Sequence, residues 1–111
     1  MAIAVAKPKA VAFPAAQVEA CLRDELLDAA ATEAELHGTP WPAEVVAKSA
    51  VSIHLDSLVV VEILCAVEPV LGFELREGVV RAGGYLSVDQ AIGQLMPRIE
   101  QEWQKRKGAK L

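Results

Sequence analysis

The stretch DSLVVVEILCAVEPVLGFEL, Asp56 to Leu75, decides how the rest of the chain is read. Its three consecutive valines, Val59 to Val61, favour a strand by intrinsic preference. The spacing argues otherwise. Val60, Ile63, Leu64, Val67 and Leu71 recur at helical intervals with no period-two alternation, so the stretch predicts a helix from about Ser57 to Leu71 with those five residues on its core face. Leu58, Val61 and Cys65 form a second apolar strip, rotated from the first. Pro69 is expected to distort or end the last turn, and Gly72 to stop the helix. Asp56 and Ser57 stand at its start, where either side chain could cap it, a contribution of about 1 kcal/mol.

Helical patterns continue on both sides. Toward the N-terminus, Val18, Cys21, Leu22, Leu26, Ala29, Ala30 and Leu36 predict a long helix beginning near Gln17. His37-Gly38-Thr39-Pro40 should end it, with Gly38 in the left-handed position. A long loop follows, Thr39 to Asp56. It is expected to hold a short turn around Ala43 to Lys48, with Pro42 as its first helical residue and Trp41 covering one end of the core. Toward the C-terminus, Leu75 to Ala82 predicts one or two helical turns ended by Gly83-Gly84. Ser87 and Gln90 then read as a capping box. A last helix carries Val88, Ala91, Ile92, Leu95, Ile99 and Trp103 on one face, with Pro97 expected to kink or split it. The layout is an all-α four-helix bundle with a long loop between its first two main helices and a short third helix. Residues 1–14 read as a mobile arm, 15–104 as the domain and 105–111 as a basic, frayed tail.

Composition supports one packed domain. The chain has 111 residues, of which 53% are apolar and 23% charged, with a mean hydropathy of +0.30; this excludes general disorder. A net charge of −4 and 5% aromatics argue against nucleic-acid binding and attraction to anionic membranes. Lys7 and Lys9 follow the short N-terminal apolar run instead of preceding it, which is the wrong order for a signal peptide. Nothing approaches the roughly 20 apolar residues of a membrane span. Cys21 and Cys65 have neither zinc nor redox spacing and are expected as buried or half-buried thiols. These features predict a soluble, reduced, cytoplasmic protein.

No phosphate-binding loop, nucleophile elbow or dinucleotide fingerprint occurs, and no pair of residues has metal-ligand spacing. His54, Asp56 and Ser57 contain the residue types of a hydrolytic triad, but they lie too close in sequence to meet head to tail. Ser57 remains, at a helix start. Either it is a simple cap, or the unpaired N–H groups and positive dipole end there favour a negative charge carried on its Oγ.

Here the chain resembles the acyl carrier proteins. Asp56-Ser57-Leu58 is followed by the apolar-acidic-apolar step Val61-Glu62-Ile63, then Ala66-Val67-Glu68, then Phe73-Glu74-Leu75 at the helix exit. The later GGYLSVDQAI, Gly83 to Ile92, looks like the start of that family's last helix. The resemblance covers Asp56 to about Leu95 well and the first helix by pattern only. It implies that Ser57, with Asp56 as motif partner, receives 4′-phosphopantetheine from coenzyme A through a phosphopantetheinyl transferase. The arm would then carry acyl, aminoacyl or polyketide groups as thioesters, and the protein itself would be non-catalytic and monomeric. Leu58, Val61, Glu62, Cys65 and Glu68 would dock the transferase and the acyl-loading and acyl-transfer or synthase enzymes.

His54 stands where many carriers have glycine, and Val59 and Pro69 where fatty-acid carriers are often acidic. These departures imply a specialised lipid, polyketide or peptide pathway more than housekeeping fatty-acid synthesis. Two other readings use the same residues. One is an unmodified carrier-like interaction module; the other is a small enzyme using Ser57 and His54.

Overall fold

The computed structural model describes residues 12–108. Four α-helices, α1 (Ala15–His37), α2 (Val45–Ala50), α3 (Ser57–Leu71) and α4 (Val88–Gly108), are joined by loops and one 3-10 turn, Glu77–Val79. An isolated antiparallel bridge, Leu55 to Tyr85, is the only β pairing among the described residues. α1 packs on α3 and α4, and α2 packs on α4. No helix among the described residues is long and apolar enough to cross a membrane.

α1 buries Val18, Leu22, Leu26, Ala30 and Ala34, one row of four-residue steps. Cys21 and Ala29, expected in that row, are half-buried at its edge, and Leu36 is 71% exposed. Leu36 comes two residues after Ala34, about 200° round the helix, so the core stripe has already passed to the other side. Gly38 ends α1 at φ 65°. The Thr39 and Gly38 N–H groups then close on the Ala34 and Glu35 carbonyls at 2.8 and 3.4 Å. This is a Schellman closure that satisfies carbonyls the helix leaves unpaired.

The turn expected at Ala43 to Lys48 lies two residues later, as α2, with Glu44 as its N-cap. Pro42 therefore precedes the helix instead of opening it. α2 is held by a polar tie that hydrophobic periodicity could not reveal. Arg23 of α1 donates to buried Ser49 of α2 at 2.9 Å and to Asp89 of α4 at 3.3 Å, and it pairs with Glu19 at 2.9 Å. The hydrogen bond to Glu19, outweighing the effect of burial, raises the Arg23 pKa further, so it carries its charge throughout.

α3 buries Val60, Ile63, Leu64, Val67 and Leu71 as its spacing implied. Pro69 does not end it; Gly72 does, at φ 88°. Proline this close to the exit removes only one backbone donor, and its ring is accommodated without stopping the last turn. Of the turns expected over 75–82, only the 3-10 segment forms, with Val79 and Val80 buried beneath it.

In α4, Val88, Ala91, Ile92, Leu95, Ile99 and Trp103 are all buried. Pro97 does not split the helix, and the turns at Lys105 and Arg106 are still helical, so the expected break at 104 does not occur. Packing holds this end: Trp103 sits between Phe13 and Phe73, with ring centroids 5.8 and 6.4 Å away. Arg106 lies over the Phe73 ring and donates to the Glu74 carbonyl. Phe13 thus belongs to the domain, while residues 1–11 of the expected arm and 109–111 of the expected tail lie outside the described residues. Trp41 is half-buried against the core, as expected of a covering residue.

Glu102 is the buried charge of this end. Its carboxylate pairs with Arg76 at 2.9 Å and Lys105 at 3.6 Å. Burial pushes its pKa up, but the Arg76 hydrogen bond and the charges of Arg76 and Lys105 outweigh it and leave the carboxyl below its ordinary 4.5. The unfolded chain therefore binds this proton more readily. The contribution to stability is complete above about pH 4.5 and is lost as pH falls through the lower folded value. Glu102→Gln is expected to cost about 1–2 kcal/mol near neutral pH. It should also flatten the fall in stability as pH drops below about 4.5 in urea titrations. An unchanged acid limb would mean that other carboxylates set it.

Candidate functional site

The site is built where two chain segments enter their helices side by side. Residues 53–56 run extended, alternating buried Ile53 and Leu55 with exposed His54 and Asp56. The buried pair faces the segment before α4. Ile53 N–H donates to the Leu86 carbonyl at 2.8 Å, and Leu55 and Tyr85 exchange backbone bonds of 2.7 and 2.9 Å. Tyr85 is fully buried, and its hydroxyl accepts the Arg81 N–H at 2.9 Å. The Arg81 guanidinium stacks on the Tyr85 ring and donates to Gly84 and Gln90.

Gly84 is what lets these segments approach. It holds φ 80°, and a Cβ there would overlap the Leu55 carbonyl oxygen and lie 3.1 Å from the Ser57 nitrogen. Only glycine takes this conformation without strain and leaves that space open. On the α4 side, Ser87 Oγ accepts the Gln90 N–H at 3.0 Å, as a capping box requires. The reciprocal bond differs: Gln90 Oε1 accepts from Leu86 N–H at 2.7 Å, one residue before the serine.

At the start of α3 the two cap candidates separate. Asp56 is the N-cap, and its Oδ1 accepts the Leu58 N–H at 2.7 Å. Ser57 is the first helical residue, half-buried, and its Oγ makes no hydrogen bond to a described residue. The hydroxyl is not needed for the cap. No acidic side chain lies in the first turn of α3, so the positive end of the helix dipole is unopposed from within the helix. Asp56 brings a negative charge close, but one of its oxygens is turned onto a backbone N–H. These features fit a phosphodiester on Ser57 Oγ.

Beyond Ser57, Leu58 is 74% exposed, Glu62 and Cys65 are exposed, and Val61 is half-buried. The strip that periodicity separated from the core is therefore an outer face. Cys65 is more exposed than a buried or half-buried thiol. It lies one turn beyond Val61 on that outer face, away from the buried stripe. Leu86, two residues before α4, is a further exposed apolar side chain, at 56%, that the sequence pattern did not single out. Glu68 also has a structural partner. It is half-buried, and its carboxylate accepts the Leu75 N–H at 2.8 Å, so it closes the turn after α3.

His54 Nε2 bonds the Gly83 carbonyl at 2.8 Å. No hydrogen bond joins His54, Asp56 and Ser57 to one another, so they do not form a relay. Cys21 is half-buried with its Sγ on the Ala66 carbonyl. Burial, reinforced by Glu25 and Asp24, raises its pKa and keeps it a thiol. Among the described residues no group of three or more His, Cys, Asp or Glu is placed to hold a metal ion. Compared with protein-family models, with curated proteins and with solved structures, the chain matches none.

Proposed function

We propose that this chain is an acyl-carrier-like protein whose Ser57 is converted to its 4′-phosphopantetheine ester. The observation that carries the reading is the division of labour at α3: Asp56 caps the helix, leaving Ser57 Oγ unengaged at its positive end. In the loading step a bond forms from Ser57 Oγ to the pantetheine-side phosphorus as the pyrophosphate link of coenzyme A breaks and adenosine 3′,5′-bisphosphate leaves. The serine proton leaves to a base supplied by the transferase. The bound arm supplies a thiol for thioester formation. The chain contributes the attachment point, the N-terminal dipole of α3 and a docking face, acting as a monomer in a reduced cytoplasm for a specialised lipid or secondary-metabolite pathway.

Docking falls to the exposed face of α3, with Leu58, Val61 and Cys65 as its apolar part and Glu62 as its charge. Glu62 has no ion-pair partner among the described residues and is available to a basic partner. Glu62→Lys is expected to slow loading by roughly tenfold at low salt, an effect that shrinks as salt screens it. Its melting temperature should not change. Loading at the wild-type rate at low salt would remove Glu62 from the docking face.

The deciding experiment is the intact mass of the folded chain after incubation with coenzyme A and a promiscuous phosphopantetheinyl transferase. A gain of one phosphopantetheine is expected. No gain would overturn the carrier reading and favour an interaction module, for which exposed Leu58 and Leu86 would be the contact residues.

A further inference from the structure

The Gly83–Gly84 turn lies over the first amide of α3, since a methyl group on Gly84 would sit 3.1 Å from the Ser57 nitrogen. It therefore lies against the backbone at Ser57. The residues after it are tied to the α3 side by backbone bonds from Tyr85 and Leu86. Within the turn, Gly84 is bonded to Arg81 through both its N–H and its carbonyl. Gly83 has a different partner: its carbonyl is bonded by His54, across 29 positions of sequence. Among the described residues His54 alone links Gly83 to the α3 side.

A carbonyl can only accept, so Nε2 carries the proton of this bond. A neutral ring with its hydrogen on Nε2 and a charged ring both supply it, so the bond survives either charge state. His54 is otherwise exposed, and its side chain adds nothing to the apolar core.

We propose that His54 is a positioning residue for the modification of Ser57: by holding the Gly83 carbonyl it seats the Gly83–Gly84 turn beside the serine and fixes the side from which Oγ is reached. This rests on the carrier reading. It assigns His54 no contact with the reacting atoms. Its effect is on orientation, and displacements of an ångström at a reacting group can cost large factors in rate.

The test compares the full chain with His54→Ala and His54→Gln, whose side-chain amide retains a donor. Loading by the transferase is followed by intact mass at varied protein concentration, and amide exchange at 83 and 84 is measured on the unloaded proteins. His54→Ala is expected to lower kcat by about threefold or more with KM for this protein unchanged, because the docking face is untouched. Exchange across the turn should quicken, and His54→Gln should restore both. Wild-type kcat in His54→Ala, a loss confined to KM, or a loss that glutamine does not repair would each overturn the proposal. A wild-type protein that takes no mass overturns the carrier reading, and this inference with it. A wild-type protein that loads normally beside an unaffected His54→Ala overturns the inference alone.

Discussion

Ser57→Ala is expected to take up no phosphopantetheine while keeping its stability within about 0.5 kcal/mol of wild type. Both halves follow from the same geometry. The α3 cap is the Asp56 carboxylate on the Leu58 amide, and Ser57 Oγ satisfies no described backbone group. Removing the hydroxyl therefore leaves no unpaired donor, and alanine is the best helix former. Asp56→Ala should behave in the opposite way, losing about 1 kcal/mol of stability. Urea unfolding of both variants, with intact mass after loading, tests the pair. Mass gain in Ser57→Ala would move the attachment to another hydroxyl. A larger stability loss in Ser57→Ala than in Asp56→Ala would reverse the assignment of the cap.

Gly84→Ala is expected to destabilise the fold by about 3 kcal/mol or more, from two separable causes. One is the left-handed backbone at φ 80°, which a side chain resists. The other is overlap with the Leu55 carbonyl oxygen, which is backbone and cannot rotate away. Gly83→Ala is the internal control. It meets the same conformational cost at φ 89° but opens onto empty space, so a loss of about 1–2 kcal/mol is expected there. Thermal or urea unfolding of the two variants measures the overlap as their difference. Equal losses would mean that the Leu55–Tyr85 bridge yields at little cost. A typical domain has only about 5–15 kcal/mol in reserve, so Gly84→Ala should be visibly less stable even if it folds.

Much of this architecture is legible residue by residue. The buried faces of α3 and α4 match their apolar spacing because a helix that packs on one side must repeat its apolar residues every three to four positions. Gly38, Gly72 and Ser87 mark helix boundaries because their backbone freedom or hydroxyl solves a local problem. The errors have local causes too. Leu36 is apolar but lies two positions past the end of the buried row, on the opposite side of α1. Pro69 does not end α3 and Pro97 does not split α4; each helix continues past its proline, to Leu71 and to Gly108. The charge of Glu68 is visible in the sequence, whereas the Leu75 N–H that its carboxylate accepts is not.

The sequence by itself determined the helical class, the position of the three long helices, the separation of α3 into a core stripe and an outer strip, and Ser57 at a helix start. All of these depend on neighbours within about one turn, where spacing and backbone preference dominate. Tertiary structure alone decided that Arg23 ties three helices together, that Glu102 is buried against Arg76, and that His54 reaches Gly83. Each of these joins groups distant in sequence. Their partners are set by how the helices pack, and a polar side chain carries no periodicity that announces its partner.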